Sequence, residues 1–145
     1  MNAEDINIIQ LSWNRLMGKE DATISRFYEL LFSQQPEYKP MFTQSEETLR
    51  LKFITMLNLI VNGLEHLDLL ETHLIDLGKK HIHLNITLND YEIVAKILIQ
   101  AIDEVSGDSL TEAEKKAWME GLMLVSAIMD KESRQSSDPK RSCGS

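Results

Sequence analysis

What constrains this chain most is how rarely it is interrupted: prolines stand only at 36, 40 and 139, and glycines are sparse. Proline removes a backbone donor and clashes with the preceding turn, so the spans on either side of the 36–40 pair are free to be helical. Within them apolar residues recur every three or four positions, the period of a helix with one buried face. Ile6, Ile9, Trp13, Leu16 and Met17 form one such stripe between Asp5 and Met17. Ile24, Phe27, Tyr28, Leu31 and Phe32 form a second between Asp21 and Phe32. "QPEYKPMF" then predicts a tight corner ending at Phe42, because each proline disfavours helical geometry in the residue before it.

Ser45 is placed to cap a helix running to about Asn62, with Glu46 and Glu47 against the positive end of its dipole and a stripe of Leu49, Phe53, Met56, Leu57 and Ile60. Gly63 can close it. A further segment from Leu67 to His81 puts Leu70, Leu74, Leu77 and His81 on one face. Asn89 or Asp90 can cap the next helix, Tyr91 to Val105, and "SGDS" supplies the turn after it. Thr111 with Glu114 is a capping-box pattern for a last helix carrying Trp118, Leu122, Val125, Ile128 and Met129. The expectation is an all-α domain of six or seven helices over residues 1–133. The polar sequence of 134–145 is expected to be disordered.

Composition narrows the function. With 145 residues the chain suits one core, and 43% hydrophobic with 26% charged residues is ordinary for a globular protein. A net charge of -8 argues against general nucleic-acid binding, which needs clustered Lys and Arg. Cys143 is the only cysteine, so one chain can form neither a disulfide nor a cysteine metal site. The start "MNAEDINII" lacks signal-peptide character, and no run reaches the ~18 uninterrupted apolar residues of a membrane span. A cytoplasmic protein without membrane partners is expected, as a monomer or homodimer.

Few residues suggest chemistry. His81 shares an apolar helical face, where a histidine is more often a hydrogen-bonded core residue than a ligand. Lys79 and Lys80 before it suit the negative end of a helix, or the acidic edge of a ligand. His66 and His73 read as surface residues, and His83, two positions after His81, finds no carboxylate or histidine set to complete a metal site. Tyr28 in a core stripe needs a hydrogen-bond partner and by itself is more often packing than ligand binding. No nucleophile motif, phosphate loop or carboxylate pair stands out, and no catalytic residue is assigned.

Taken together, "FYELLFSQQPEYKPMF", "LGKKHIHLNITLNDYEIV" and "SGDSLTEAEKKAW" resemble the globin family, particularly bacterial single-domain globins and the haem domain of flavohaemoglobins. The resemblance covers about Asp5 to Lys131 and rests on three separated motifs in the right order. It implies a globin fold around one haem b. His81 matches the proximal histidine that binds haem iron, and Lys80 the partner of a haem propionate. Phe42 matches the corner phenylalanine against the porphyrin. Tyr28 matches the distal tyrosine that donates a hydrogen bond to the gas ligand, and Tyr91 the proximal tyrosine that helps orient the histidine.

The chain departs from that pattern on both sides of the haem. Leu49 stands where bacterial relatives commonly carry a distal glutamine, leaving Tyr28 as sole distal donor. Phe53 replaces a common leucine, which makes the distal pocket more apolar and crowded and predicts slow ligand access. On the last helix Ser133 falls where flavohaemoglobin-like domains carry a glutamate. Glu132 is adjacent but turned by about 100°.

The resemblance thus implies reversible binding of oxygen, and of NO or CO, at the iron. An alternative is NO dioxygenation, which needs an external reductase because the chain is too short to include the flavin and nicotinamide domain. A third reading is a globin-fold sensor or regulatory module.

Overall fold

A computed structural model of the chain describes residues 1–81, 84–107 and 109–136, with side chains through 131. His83, the side chains of Glu132 and Ser133, and the tail from 137 including Cys143 lie outside the described residues. Six α-helices follow in order: α1 Ala3–Asn14, α2 Glu20–Gln34, α3 Glu46–Gly63, α4 Leu67–Lys80, α5 Leu88–Val105 and α6 Glu112–Ser136. Two short 3-10 helices intervene, Pro36–Met41 at the proline corner and Leu64–His66 between α3 and α4.

Local chemistry sets most boundaries. The Ser45 hydroxyl accepts the Thr48 N–H at 3.2 Å and starts α3. At α6 the Thr111 hydroxyl accepts the Glu114 N–H at 3.1 Å while the Glu114 carboxylate accepts the Thr111 N–H at 2.9 Å, the reciprocal box expected there. The start of α5 differs from expectation. Its cap is Thr87, whose hydroxyl accepts the Asp90 N–H at 3.2 Å, and the Asp90 carboxylate returns the bond to the Thr87 N–H at 2.9 Å. Neither Asn89 nor Asp90 is the cap, because the pair Thr87–Asp90 satisfies two free N–H groups at once.

The first helix also ends sooner than its stripe suggests. After Asn14 the chain tightens into i→i−3 bonds and turns through Gly18, whose φ of 87° suits a residue without a Cβ. Leu16 stays fully buried, but Met17 is 74% exposed and not part of the inward stripe.

α2 lies on α5, and α6 lies on α1, α4 and α5. Trp13 and Trp118 meet edge to face at 6.1 Å where α1 crosses α6. The Trp118 indole donates to the buried Ser12 hydroxyl at 2.7 Å, and the Trp13 indole donates to Asn58 on α3 at 2.6 Å. Trp118 is 1% exposed, so Trp118→Ala leaves a large cavity; we expect a stability loss of about 3–5 kcal/mol in urea unfolding.

α3 is set apart. It packs on α1, α2 and α4 but shares no comparable interface with α5 or α6. The stretch Glu46–Lys80 is apolar and long enough to cross a membrane by composition, yet only 28% of that window is buried.

Candidate functional site

The apolar face of α3 carries Leu49, Phe53 and Met56, three residues at helical spacing that are each only partly buried. Other partly buried apolar residues in the fold are Phe42 after the corner, Leu77 on α4, Ile86 before α5 and Ile93 on α5. All of them pack against the core while keeping part of their apolar surface exposed.

On α4, Leu70 and Leu74 anchor the helix in the core and carry His81 at its C-cap. The His81 backbone N–H bonds to Leu77 and Gly78 carbonyls at 3.2 and 3.1 Å. Its ring Nδ1 lies 2.7 Å from the Leu77 carbonyl oxygen, so Nδ1 carries the proton and donates. The lone pair is then on Nε2, which bonds to no described residue. Burial pushes the His81 pKa down, against the opposing effect of the Leu77 bond, and so favours the neutral ring. A neutral imidazole fixed through Nδ1 to a backbone carbonyl is the form that ligates a metal through Nε2. Tyr91, buried in the first turn of α5, meets the His81 ring edge to face at 5.9 Å.

A second group of candidate residues forms an aromatic box. Tyr28 on α2 is 3% exposed and contacts Phe27 at 5.1 Å, Phe32 at 5.8 Å, Phe42 at 5.7 Å and Phe53 at 6.0 Å. Phe27 and Phe53 lie 4.9 Å apart across α2 and α3. Burial pushes the Tyr28 phenol up to about 12, with no hydrogen bond contributing. The hydroxyl is therefore a proton donor across the physiological range, with no acceptor among the described residues.

Of the residues singled out in the sequence, the structure brings Tyr28, Phe42 and Phe53 into one cluster and His81 against Tyr91. Leu49 lies one turn before Phe53 on the same face of α3. Lys80 is exposed in the last turn of α4, with no ion pair among the described residues. His66 and His73 are exposed.

Sequence reasoning missed Tyr38. This residue is buried in the corner helix, and its hydroxyl donates to Asp90 Oδ1 at 2.6 Å. Burial and that bond push the Tyr38 pKa up. Burial works to raise Asp90, but bonds from Tyr38 and from the Thr87 N–H and hydroxyl outweigh it and hold the carboxylate below its ordinary value. Because the folded pKa is depressed, this carboxylate stabilises the fold above the ordinary aspartate value of 3.8, and the stabilisation is lost as pH falls through the lowered one. Asp90→Asn is expected to flatten the acid limb of stability against pH, read from urea midpoints.

The family profile described as Globin matches residues 25–129. A flavohemoprotein of Oceanobacillus iheyensis is 28% identical over 131 residues, which cover 88% of this chain and 32% of that protein. The chain thus spans about a third of the length of that curated relative. A globin-like protein of Aquifex aeolicus is 26% identical over 140 residues, 96% of this chain and 99% of its own. The solved structure of a bacterial globin from Campylobacter jejuni shares the fold, with a TM-score of 0.81 at 21% identity over 93% of this chain and 98% of that one. The family match runs from within α2, through both groups of candidate residues, into α6, and the chain belongs to the globin family.

Proposed function

We propose that this globin binds one haem b against the apolar face of α3, that His81 would hold it through Nε2, and that it reversibly binds oxygen, NO and CO. The observation that carries the reading is His81, a ring fixed through Nδ1 to the Leu77 carbonyl whose Nε2 bonds to no described residue; the buried Tyr28 phenol, with no acceptor among the described residues, supports it. The relatives named flavohemoprotein support the cofactor class. When bound, the haem iron supplies the attachment point for a diatomic gas.

The chain's own residues do the rest. The Leu77 carbonyl holds the His81 tautomer, and Tyr91 holds the ring's rotation by edge contact. Tyr28 would donate a hydrogen bond towards negative charge on a bound gas, and the apolar side chains of Leu49, Phe42 and Phe53 would exclude competing water. Lys80, at the end of α4, can meet a propionate.

NO dioxygenation with a separate reductase is the second reading, supported by the flavohemoprotein relatives, which are about three times this chain's length. Exposure of the dithionite-free ferrous protein to oxygen separates the two. An oxygenated spectrum that reverts on evacuation supports carriage. Nitrate produced over many turnovers with NO and an added electron donor supports the enzyme. Neither result, in a protein that takes up no haem, leaves the regulatory module.

A further inference from the structure

The bond from Tyr38 to Asp90 joins two elements that otherwise share no extended packing, the corner helix Pro36–Met41 and the first turn of α5. Asp90 divides its oxygens: Oδ2 accepts the Thr87 N–H at 2.9 Å and the Thr87 hydroxyl at 3.0 Å, while Oδ1 accepts Tyr38. The cap of α5 is thus complete without Tyr38. Packing alone is equally satisfied by phenylalanine at a position 8% exposed. The hydroxyl adds only a tie.

What the tie connects gives it meaning. Four residues beyond Tyr38 the corner delivers Phe42, whose ring meets Tyr28 at 5.7 Å and Phe32 at 5.3 Å. One residue beyond Asp90, α5 delivers Tyr91 to the edge of His81. The corner is stiff, because the Tyr38 N–H bonds to the Gln35 carbonyl at 3.0 Å and the Phe42 N–H to the Lys39 carbonyl at 3.1 Å. Displacement of Phe42 therefore pulls on Asp90, and a shift in the first turn of α5 changes how Tyr91 bears on His81.

We propose that Tyr38 is a positioning residue that couples the aromatic box around Tyr28 to the orientation of the His81 ring, through Asp90 and Tyr91. The consequence for the haem rests on the functional reading above; the coupling itself does not.

The test compares wild type with Tyr38→Phe, which removes only the hydroxyl, and with Asp90→Asn, alone and combined. In the haem-free protein, the His81 and Tyr91 ring resonances are expected to shift in both single variants, with little further change in the double variant. The Trp13 and Trp118 indoles should stay in place. In the ferrous, gas-free, haem-loaded protein, the iron–histidine Raman band of Tyr38→Phe is expected to move from the wild-type position. Resonances and band that stay at wild-type positions, even with a lowered melting temperature, would reduce Tyr38 to a structural residue and overturn the proposal. If wild type takes up no haem, the functional reading falls, and the haem-free resonances still decide the coupling.

Discussion

His81→Ala is expected to lose axial haem ligation while keeping its helices. The substitution removes the ring and its bond to the Leu77 carbonyl, but the backbone N–H that caps α4 still reaches Leu77 and Gly78. One lost hydrogen bond costs about 0.5–1.5 kcal/mol, too little to unfold a domain with this core. Far-ultraviolet circular dichroism should therefore match wild type. Changing even an outer partner of a metal ligand costs about 10–100-fold in affinity, and loss of the ligand itself should exceed that. Haem should separate from the variant on gel filtration, and added imidazole, which fits the space vacated, should restore ligation. Lys80→Ala, altering an exposed side chain, should retain haem. Retention of wild-type ligation by His81→Ala would assign the axial position to another residue.

Tyr28→Phe is expected to speed oxygen release by about 10- to 100-fold. A hydrogen bond to a charged acceptor contributes about 1.5–3 kcal/mol, and each 1.4 kcal/mol is tenfold in an equilibrium constant. Leu49 on α3 cannot donate a hydrogen bond, so the effect is expected to fall on Tyr28. Carbon monoxide, which accumulates less negative charge when bound, should be released at nearly the wild-type rate. The phenyl ring keeps its contacts with Phe27, Phe32, Phe42 and Phe53. The haem-free variant should be about as stable as wild type, because the Tyr28 hydroxyl bonds to no described residue and its removal leaves those ring contacts in place. Equal oxygen release rates in flash photolysis or stopped flow would remove Tyr28 from this role.

The helices were legible where a short-range signal marked both the period and the end. Ser45 and the Thr111–Glu114 box act over three residues, and both appear in the structure as written in the sequence. Thr87 was passed over because Asn89 and Asp90 are equally good caps taken singly; only the reciprocal bonding of Thr87 with Asp90 decides among the three. At α1 the apolar stripe runs past the helix end, since periodicity cannot register that Gly18 turns the chain and rotates Met17 outward.

The candidate site was legible in a different way. Nothing local says that Tyr28, Phe42 and Phe53 meet, because they come from three elements; the resemblance between motifs supplied that grouping, and in the fold the Tyr28 ring lies 5.7 Å from Phe42 and 6.0 Å from Phe53. Tyr38 and Asp90 stand 52 residues apart, and no local pattern pairs the corner tyrosine with a residue at the start of α5. Their bond depends on how the proline corner is aimed at α5, which only the assembled fold determines.

The central claim is that this chain holds haem through His81, and the most direct measurement is an absorption titration of the purified, haem-free protein with hemin. The account predicts saturation at one haem per chain, with a Soret band that shifts on reduction and again with CO, and the same titration of His81→Ala without that ligation. A wild-type protein that gives no saturable haem spectrum, or one identical to His81→Ala, would contradict it.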